Sequence, residues 1–166
     1  LNCEIIRDGK TLNSFISLNE VVLNRATLMK AFKMELYING KHTNTALGDG
    51  IIVSTPTGST SYNLSAGGPI LTPTANNMVI TQIAPIYFPS TPLVIAGDDV
   101  VEIKVTIDNI TKKGNVTLEV DGSDSIDIKD GDIVRIKKSE GSAKVIKVSE
   151  RSFYQLLKEK LSKANN

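Results

Sequence analysis

Apolar residues fall in short runs bounded by turn formers: Cys3 to Ile6, Phe15 to Leu23, Met34 to Ile38, Ile51 to Val53, Met78 to Ile80 and Leu93 to Ile95. Runs of that length between polar turns predict strands. Farther along the pattern becomes alternation, in Val101-Glu102-Ile103-Lys104-Val105-Thr106-Ile107, Val116-Thr117-Leu118-Glu119-Val120 and Ile133-Val134-Arg135-Ile136. Alternation predicts strands with one face in a core and the other in water. Asp8-Gly9, Asn39-Gly40, Asp121-Gly122 and Asp130-Gly131 can supply the positive φ that tight hairpin turns need. The expected fold class is mainly β, with a meander or sandwich in the second half. A short helix is expected near Thr60, stopped by Gly67-Gly68. An amphipathic terminal helix, about 150–163, has Ser149 or Ser152 as its cap, with Phe153, Leu156, Leu157 and Leu161 on one face. That face is expected to dock a missing domain or to join the core. His42 is expected in a solvated loop after Asn39-Gly40. The strip Lys129-Asp130, Asp132, Arg135 and Lys137-Lys138 is expected on a solvated sheet face.

Length and charge narrow the classes. The 166 residues, 40% hydrophobic, suit one domain with an ordinary core. Nineteen basic against eighteen acidic side chains leave a net charge of +1, too little for the broad electrostatic footprint of a nucleic-acid or anionic-membrane binder. Neither partner is expected. Cys3 is the only cysteine, so no intrachain disulfide, Cys-x-x-Cys metal site or Cys/His catalytic pair can be built from it, and a cytoplasmic setting is expected. No apolar run has the length of a membrane-spanning helix. The chain enters a strand pattern almost at once from Leu1-Asn2, and a piece of a longer protein is expected.

Asp49 to Pro69 changes the picture. A short apolar strand runs there into Ser54, Thr55, Thr57, Ser59, Thr60, Ser61 and Ser65, interleaved with Gly58, Gly67 and Gly68. Such a segment offers many donors and acceptors on a closely approachable backbone. A phosphate cradle would be the first interpretation, but the segment holds no Gly-Lys-Ser/Thr, and no lysine or arginine occurs from Thr43 through Glu102. A sugar, an amide or a base suits it better than a triphosphate. Taken singly, each feature also has a plain structural explanation: a turn at Thr55-Pro56-Thr57-Gly58, a hairpin turn at Asp49-Gly50, a polar kink at Asn19-Glu20.

Taken together, Asp49-Gly50, Thr55-Pro56-Thr57-Gly58-Ser59-Thr60, Tyr62, Ser65 and Gly67-Gly68-Pro69 closely resemble the signature segment of NAD kinases, and Asn19-Glu20 resembles the Asn-Glu motif of that family. The resemblance extends to the Ala84-Pro85 region, Pro92-Leu93-Val94, Asp121-Gly122 and the terminal helix, essentially the whole chain. It implies the β-sandwich-like C-terminal domain of an NAD kinase/diacylglycerol kinase-like fold. The parent enzyme would transfer the terminal phosphate of ATP, or of polyphosphate, to the 2′-hydroxyl of the adenosine ribose of NAD, giving NADP, with Mg accompanying the donor rather than bound by this domain alone. The family's Gly-Gly-Asp-Gly-Thr motif, whose aspartate is the general base, does not occur in this sequence. The resemblance therefore implies that residues 1–166 bind NAD, that no catalytic residue lies in this chain, that an N-terminal α/β domain is missing, and that the chain alone is inactive.

By the same resemblance, Asn19 would bond the adenine and Glu20 would lie near the ribose hydroxyls. Thr60, Ser61 and Tyr62 would line the adenine pocket, Tyr62 with its ring. Asp49 would bond the substrate's amide or base across a subunit boundary, which implies a homodimer or homotetramer. Thr57, Asn63, Leu64, Ser65 and Ala84 would complete the wall, and Asp121 with Ser123 would border it. Three places depart from the family pattern: Ser123, where glutamine or a histidine-containing variant is common; Ser61, where alanine is usual; and the stretch from Ile86 to Pro92. Two other classes fit the residues less well. A lipid or sphingoid kinase relative is not expected to have the Thr55 to Thr60 run with Asn19-Glu20, and a binding or assembly module without catalysis would owe nothing to that run.

Overall fold

The computed structural model describes residues 1–26, 31–86, 91–107, 115–123, 125–146, 148 and 150–163. The first half holds β1 (Asn2–Arg7), β2 (Lys10–Ile16), β3 (Glu20–Arg25), β4 (Phe32–Ile38), β5 (Lys41–Gly48) and β6 (Gly50–Ser54). A 3-10 turn at Gly58–Thr60 and a one-turn helix, α1 (Tyr62–Ser65), follow. Then come β7 (Asn77–Ile83), β8 (Leu93–Ala96), β9 (Val101–Thr106), β10 (Val116–Val120), β11 (Ile126–Ile128), β12 (Ile133–Lys137) and α2 (Phe153–Lys163). The strands form two antiparallel sheets, ordered β2-β1-β12-β9-β4-β5 and β11-β10-β3-β6-β7-β8. Inward side chains of both, among them Ile5, Met34, Ile103 and Ile136 from the first and Leu23, Ile51, Met78 and Leu118 from the second, share one core. Each such side chain stabilises the fold by ~1.5–3 kcal/mol.

The two kinds of apolar pattern report two kinds of burial. In β9 and β12 alternate residues are buried, as a half-wet strand requires. In β3, β6 and β7 the middle residues are buried on both faces: Val21, Leu23, Ile51, Val53, Met78 and Ile80 face the core, while Val22, Ile52 and Val79 lie on the opposite face and are also buried. What covers that outer face is the segment after β6, since the hydroxyl of Thr81 on β7 donates to Asn63 Oδ1 of α1 at 2.7 Å. Continuous apolar runs thus mark the strands that lie under the hydroxyl-rich loop.

Several expectations change. The Phe15 to Leu23 run is not one strand, because the chain leaves the first sheet after Ile16 and enters the second at Glu20, which makes Asn19-Glu20 a crossing between sheets. His42 lies in β5, not in a loop; its ring meets Tyr37 edge-on at 5.3 Å, and its Nε2 is 2.9 Å from Thr45 Oγ1. β5 and β2 are edge strands with mostly exposed residues, so neither had an apolar face to advertise. Asp8, Asn39 and Asp121 take φ 51° before a glycine, as hairpin turns need, whereas Asp49-Gly50 does not, so it is no hairpin turn. Gly9-Lys10-Thr11, which matches the end of a phosphate-loop pattern, belongs to the β1–β2 hairpin. Ser152 caps α2, its hydroxyl accepting the Gln155 N–H at 3.3 Å while Gln155 Oε1 accepts the Ser152 N–H at 2.7 Å. Ser149 and residues 87–90 of the divergent stretch lie outside the described residues.

Asp132 is not on a solvated face. It is fully buried and held by Arg7 through two bonds, Nε to Oδ1 at 2.7 Å and NH2 to Oδ2 at 2.6 Å, and it accepts the Lys129 N–H at 2.8 Å. Burial alone would raise its carboxyl; the Arg7 bond and the Lys129 N–H outweigh that and hold it below the ordinary range. A lowered carboxyl contributes stability that is fully present above its unfolded value and fades as pH falls through the folded one. Asp132→Asn is therefore expected to cost about 2 kcal/mol near pH 7, about 4–8 °C in Tm for a domain of this size, with the gap to the parent closing under strong acid. Thermal melts across pH check it.

Candidate functional site

One end of the second sheet gathers most of the expected residues. Asp121, at the β10–β11 turn, faces the crossing between β2 and β3. Its carboxylate accepts the Ser17 hydroxyl at 2.8 Å and the N–H groups of Leu18, Asn19 and Glu20 at 2.6, 2.8 and 3.0 Å. Its own N–H donates to the Glu20 carbonyl at 3.1 Å. Burial pushes its carboxyl up, but these four donors outweigh burial and leave it lowered. With its acceptor capacity so used, Asp121 acts on any ligand by fixing where Asn19 and Glu20 stand.

The hydroxyl-rich loop is tied to the same crossing. Thr55 donates its N–H to the Asn19 carbonyl at 2.8 Å and its hydroxyl to the Leu18 carbonyl at 2.7 Å, and its Oγ1 accepts the Gly58 N–H at 3.0 Å. Gly58 passes so close that a Cβ there would lie 2.2 Å from the Asn19 carbonyl oxygen. Deeper in, buried Ser59 donates to the Pro56 carbonyl at 2.7 Å and accepts the Leu71 N–H at 3.0 Å. Asn63 is fully buried, donating to the Ser59 and Pro69 carbonyls at 3.0 and 3.1 Å while accepting from Thr81. Gly68 leaves room for that amide. Asn63 is thus the internal brace of the loop, and its side chain faces no solvent.

What remains turned outward is a small set. Thr57, Tyr62, Ser65 and Ser123 are exposed, and Asn19, Thr60, Ser61 and Leu64 are half-buried. Next to Asn19 in the chain is Glu20, buried, with no hydrogen-bond partner on Oε2 among the described residues. Burial raises its carboxyl, the Asp121 charge adds to the rise, and the Tyr62 peptide N–H opposes it. A buried carboxylate oxygen with no donor is costly to the isolated fold. It is also an acceptor waiting for a donor.

Asp49 and Ala84 are not brought to this end. Both lie past the far end of β6 and β7, where Asp49 pairs with Arg25 at 2.7 Å and donates its N–H to the Ile83 carbonyl at 3.0 Å, and Ala84 takes φ 42°. The length of β6 puts roughly 17 Å between the two groups. The chain thus divides the thirteen expected residues between two ends of one sheet. The stretch from Thr43 to Glu102 lacks cations, but Arg25 of the neighbouring β3 brings one to Asp49, a contact that only strand pairing reveals. Sequence reasoning also missed Ser17 and Thr55 as ties of the crossing, and Thr81, whose hydroxyl in an otherwise apolar strand was the available signal. Cys3 is buried and pushed up to about 12, which keeps it a protonated core thiol.

The raised carboxyl of Glu20 gives a prediction of opposite sign to that for Asp132. Its folded form holds a proton at pH values where the unfolded chain has lost it, so its penalty grows as pH rises through the unfolded and then the folded value. Glu20→Gln is expected to raise stability at pH 7.5 by about 1 kcal/mol, about 2–4 °C, and to leave it unchanged below the ordinary carboxylate range. Paired melts at both pH values check it.

The family model described as the ATP-NAD kinase C-terminal domain matches residues 18–148. Among curated relatives, the NAD kinase of Natranaerobius thermophilus is 38% identical over 162 residues, covering 98% of this chain and 55% of its own length. That of Carboxydothermus hydrogenoformans is 38% identical over 165 residues, covering 99% and 58%. The chain spans about half the length of the curated relatives it matches. Among solved structures, yeast NADH kinase complexed with NADH superposes with a TM-score of 0.85 at 25% identity, covering 97% of this chain and 48% of that one. An NAD kinase from Archaeoglobus fulgidus in complex with ATP gives 0.66 at 28%, covering 84% and 50%. The family match runs from the β2–β3 crossing through the loop and on past β12, so the chain belongs to the NAD kinase family, as its C-terminal domain.

Proposed function

We propose that the full-length protein phosphorylates the 2′-hydroxyl of the adenosine ribose of NAD, with ATP or polyphosphate as donor, and that residues 1–166 form the domain that binds NAD. The observation that supports this best is the buried Glu20 carboxylate with one oxygen unpartnered among the described residues, next to Asn19 in the chain and bonded by the peptide N–H of Tyr62, whose side chain is exposed. A carboxylate so placed accepts hydrogen bonds from ribose hydroxyls, an amide such as Asn19 pairs with a base edge, and an aromatic ring offers a stacking surface. Thr57, Thr60, Ser61, Leu64, Ser65 and Ser123 form the rim, while Asn63 and Asp121 hold it in shape.

Asp49 and Ala84 enter the same reading through a second copy. Lying roughly 17 Å from Tyr62's end of the sheet, they are assigned in this proposal to the dinucleotide held by another subunit, in a homo-oligomer. The base that takes the hydroxyl proton lies outside this chain, and the chain alone makes no NADP. Among the described residues no three His, Cys, Asp or Glu side chains gather into a metal-sized cluster; in this proposal the Mg comes with the donor. No described helix is long and apolar enough to cross a membrane, and a cytoplasmic location goes with the proposed reaction.

Steady-state kinetics of the full-length protein test the proposal. Tyr62, 40% exposed, can be cut back with little effect on stability. Tyr62→Ala should raise KM for NAD about 10-fold, the loss of one base-stacking surface, and leave KM for ATP within about 2-fold. Equal losses for both substrates, or no NADP from the parent, would contradict it.

A further inference from the structure

Asp49 is the single residue between β5, which ends at Gly48 in the first sheet, and β6, which begins at Gly50 in the second. Space requires both flanking glycines. A Cβ at Gly50 would run into the Leu23 carbonyl oxygen, and one at Gly48 would lie 3.0 Å from that of Ile83. The Asp49 backbone is bonded on both sides, its N–H donating to the Ile83 carbonyl at 3.0 Å and its carbonyl accepting the Arg25 N–H at 2.9 Å. Arg25 also takes the side chain, NH2 to Oδ2 at 2.7 Å. The Asp49 carboxylate is 25% exposed, and Oδ1 has no hydrogen bond among the described residues.

Arg25 is itself firmly placed. It ends β3, opposite Val116 of β10, and the next residue, Ala26, donates its N–H to the Asn115 carbonyl at 2.7 Å. Glu20 begins the same strand, so β3 carries a candidate site residue at one end and the partner of another at the other. From Thr43 through Glu102 no lysine or arginine occurs that could stand in for Arg25. A part-exposed ion pair contributes little to folding, and the link is already held by its backbone bonds, so stability does not account for this contact.

We propose that Arg25 is a positioning residue for NAD recognition: it acts through Asp49, holding Oδ2 so that Oδ1 alone is presented to an N–H donor of the dinucleotide's amide or base. The inference rests on the reading above that Asp49 serves a dinucleotide held by another copy. A carboxylate without such a hold turns among its staggered rotamers and must be ordered when the ligand binds. The planar fork of a guanidinium fixes direction as well as charge, which the point charge of a lysine does not.

Steady-state kinetics of the full-length protein test it with Arg25→Met, Arg25→Lys, Asp49→Asn and the Arg25→Met, Asp49→Asn double variant, each beside a thermal melt. Arg25→Met should raise KM for NAD about 10-fold, the effect of leaving one side chain to be ordered at binding, with kcat, KM for ATP and Tm close to the parent's. Arg25→Lys, which keeps the charge, should fall between the two. The double variant should match Asp49→Asn within about 2-fold, as two groups acting through one contact do. An Arg25→Met protein with unchanged KM for NAD while Asp49→Asn raises it, or losses that multiply in the double variant, would overturn the inference and leave Asp49 its part in the function proposed above. A fall in kcat and Tm together would mark a structural role and overturn it as well. No effect of Asp49→Asn on KM for NAD would overturn both the inference and that part of the reading.

Discussion

Gly58→Ala is expected to lower NAD affinity of the full-length protein at least ~100-fold, equivalent to about 2.7 kcal/mol. The added Cβ would sit 2.2, 2.5 and 2.7 Å from the carbonyl oxygen, carbonyl carbon and Cα of Asn19. All three are backbone atoms in a crossing already fixed by Asp121, so none can swing aside as a side chain would. The loop must lift, and the Thr55 bonds to the Asn19 and Leu18 carbonyls go with it. Overpacking and the lost bonds together cost about 3 kcal/mol, roughly 6–12 °C in Tm. Gly141→Ala is the control: its Cβ would meet nothing closer than a side-chain oxygen 3.7 Å away, and no change is expected. Calorimetric titration with NAD beside thermal melts measures both effects.

Asp121→Ala is the second large effect, and it separates a positioning role from a direct contact. Four donors converge on this carboxylate, three of them consecutive peptide N–H groups. Bonds to a charged acceptor are worth about 1.5–3 kcal/mol each when dry, and the partial exposure of Asp121 reduces their sum to about 2–3 kcal/mol, or roughly 4–12 °C. Without it, Leu18 to Glu20 lose their anchor, and NAD affinity should fall by ~30-fold or more although Asp121 itself offers the ligand little free acceptor capacity. Asp121→Asn keeps an acceptor for one or two of the donors and should recover part of both losses. Ser123→Ala, two residues along the turn and exposed, should leave stability unchanged. Equal, small effects of the three substitutions on affinity would contradict the positioning role.

The sequence made the fold legible where burial leaves a pattern and silent where it does not. Val101 to Ile107 and Val116 to Val120 alternate because one face of each is wet; Val21-Val22-Leu23 and Ile51-Ile52-Val53 do not, because the loop over β6 and β7 buries their second face. β2 and β5 are edge strands with mostly exposed, polar residues, and of the two only the Phe15-Ile16 end of β2 falls in an apolar run. Of the site, the residue identities were legible and their division in space was not. Asp49 stands only a few residues before Thr55 in the chain, yet an extended strand sends it to the opposite end of the sheet. Asp121 and Asn63 have the residue types of ligand contacts, and only the count of their donors and acceptors shows that their side chains are turned to the protein. Asp132 was hidden for the same reason: a charged residue beside Gly131 reads as surface until Arg7 is found on the neighbouring strand β1.

Chemical-shift mapping of the full-length protein titrated with NAD tests most directly whether this end of the sheet is the dinucleotide site. The expected result is saturable shifts concentrated at Leu18–Glu20, Thr57–Ser65 and Asp121–Ser123, and at Asp49 and Ala84 where a second copy presents them, with the β1–β2 hairpin around Asp8-Gly9 unmoved. Saturation by NAD with those three segments unshifted, or no binding by the folded protein, would contradict the account.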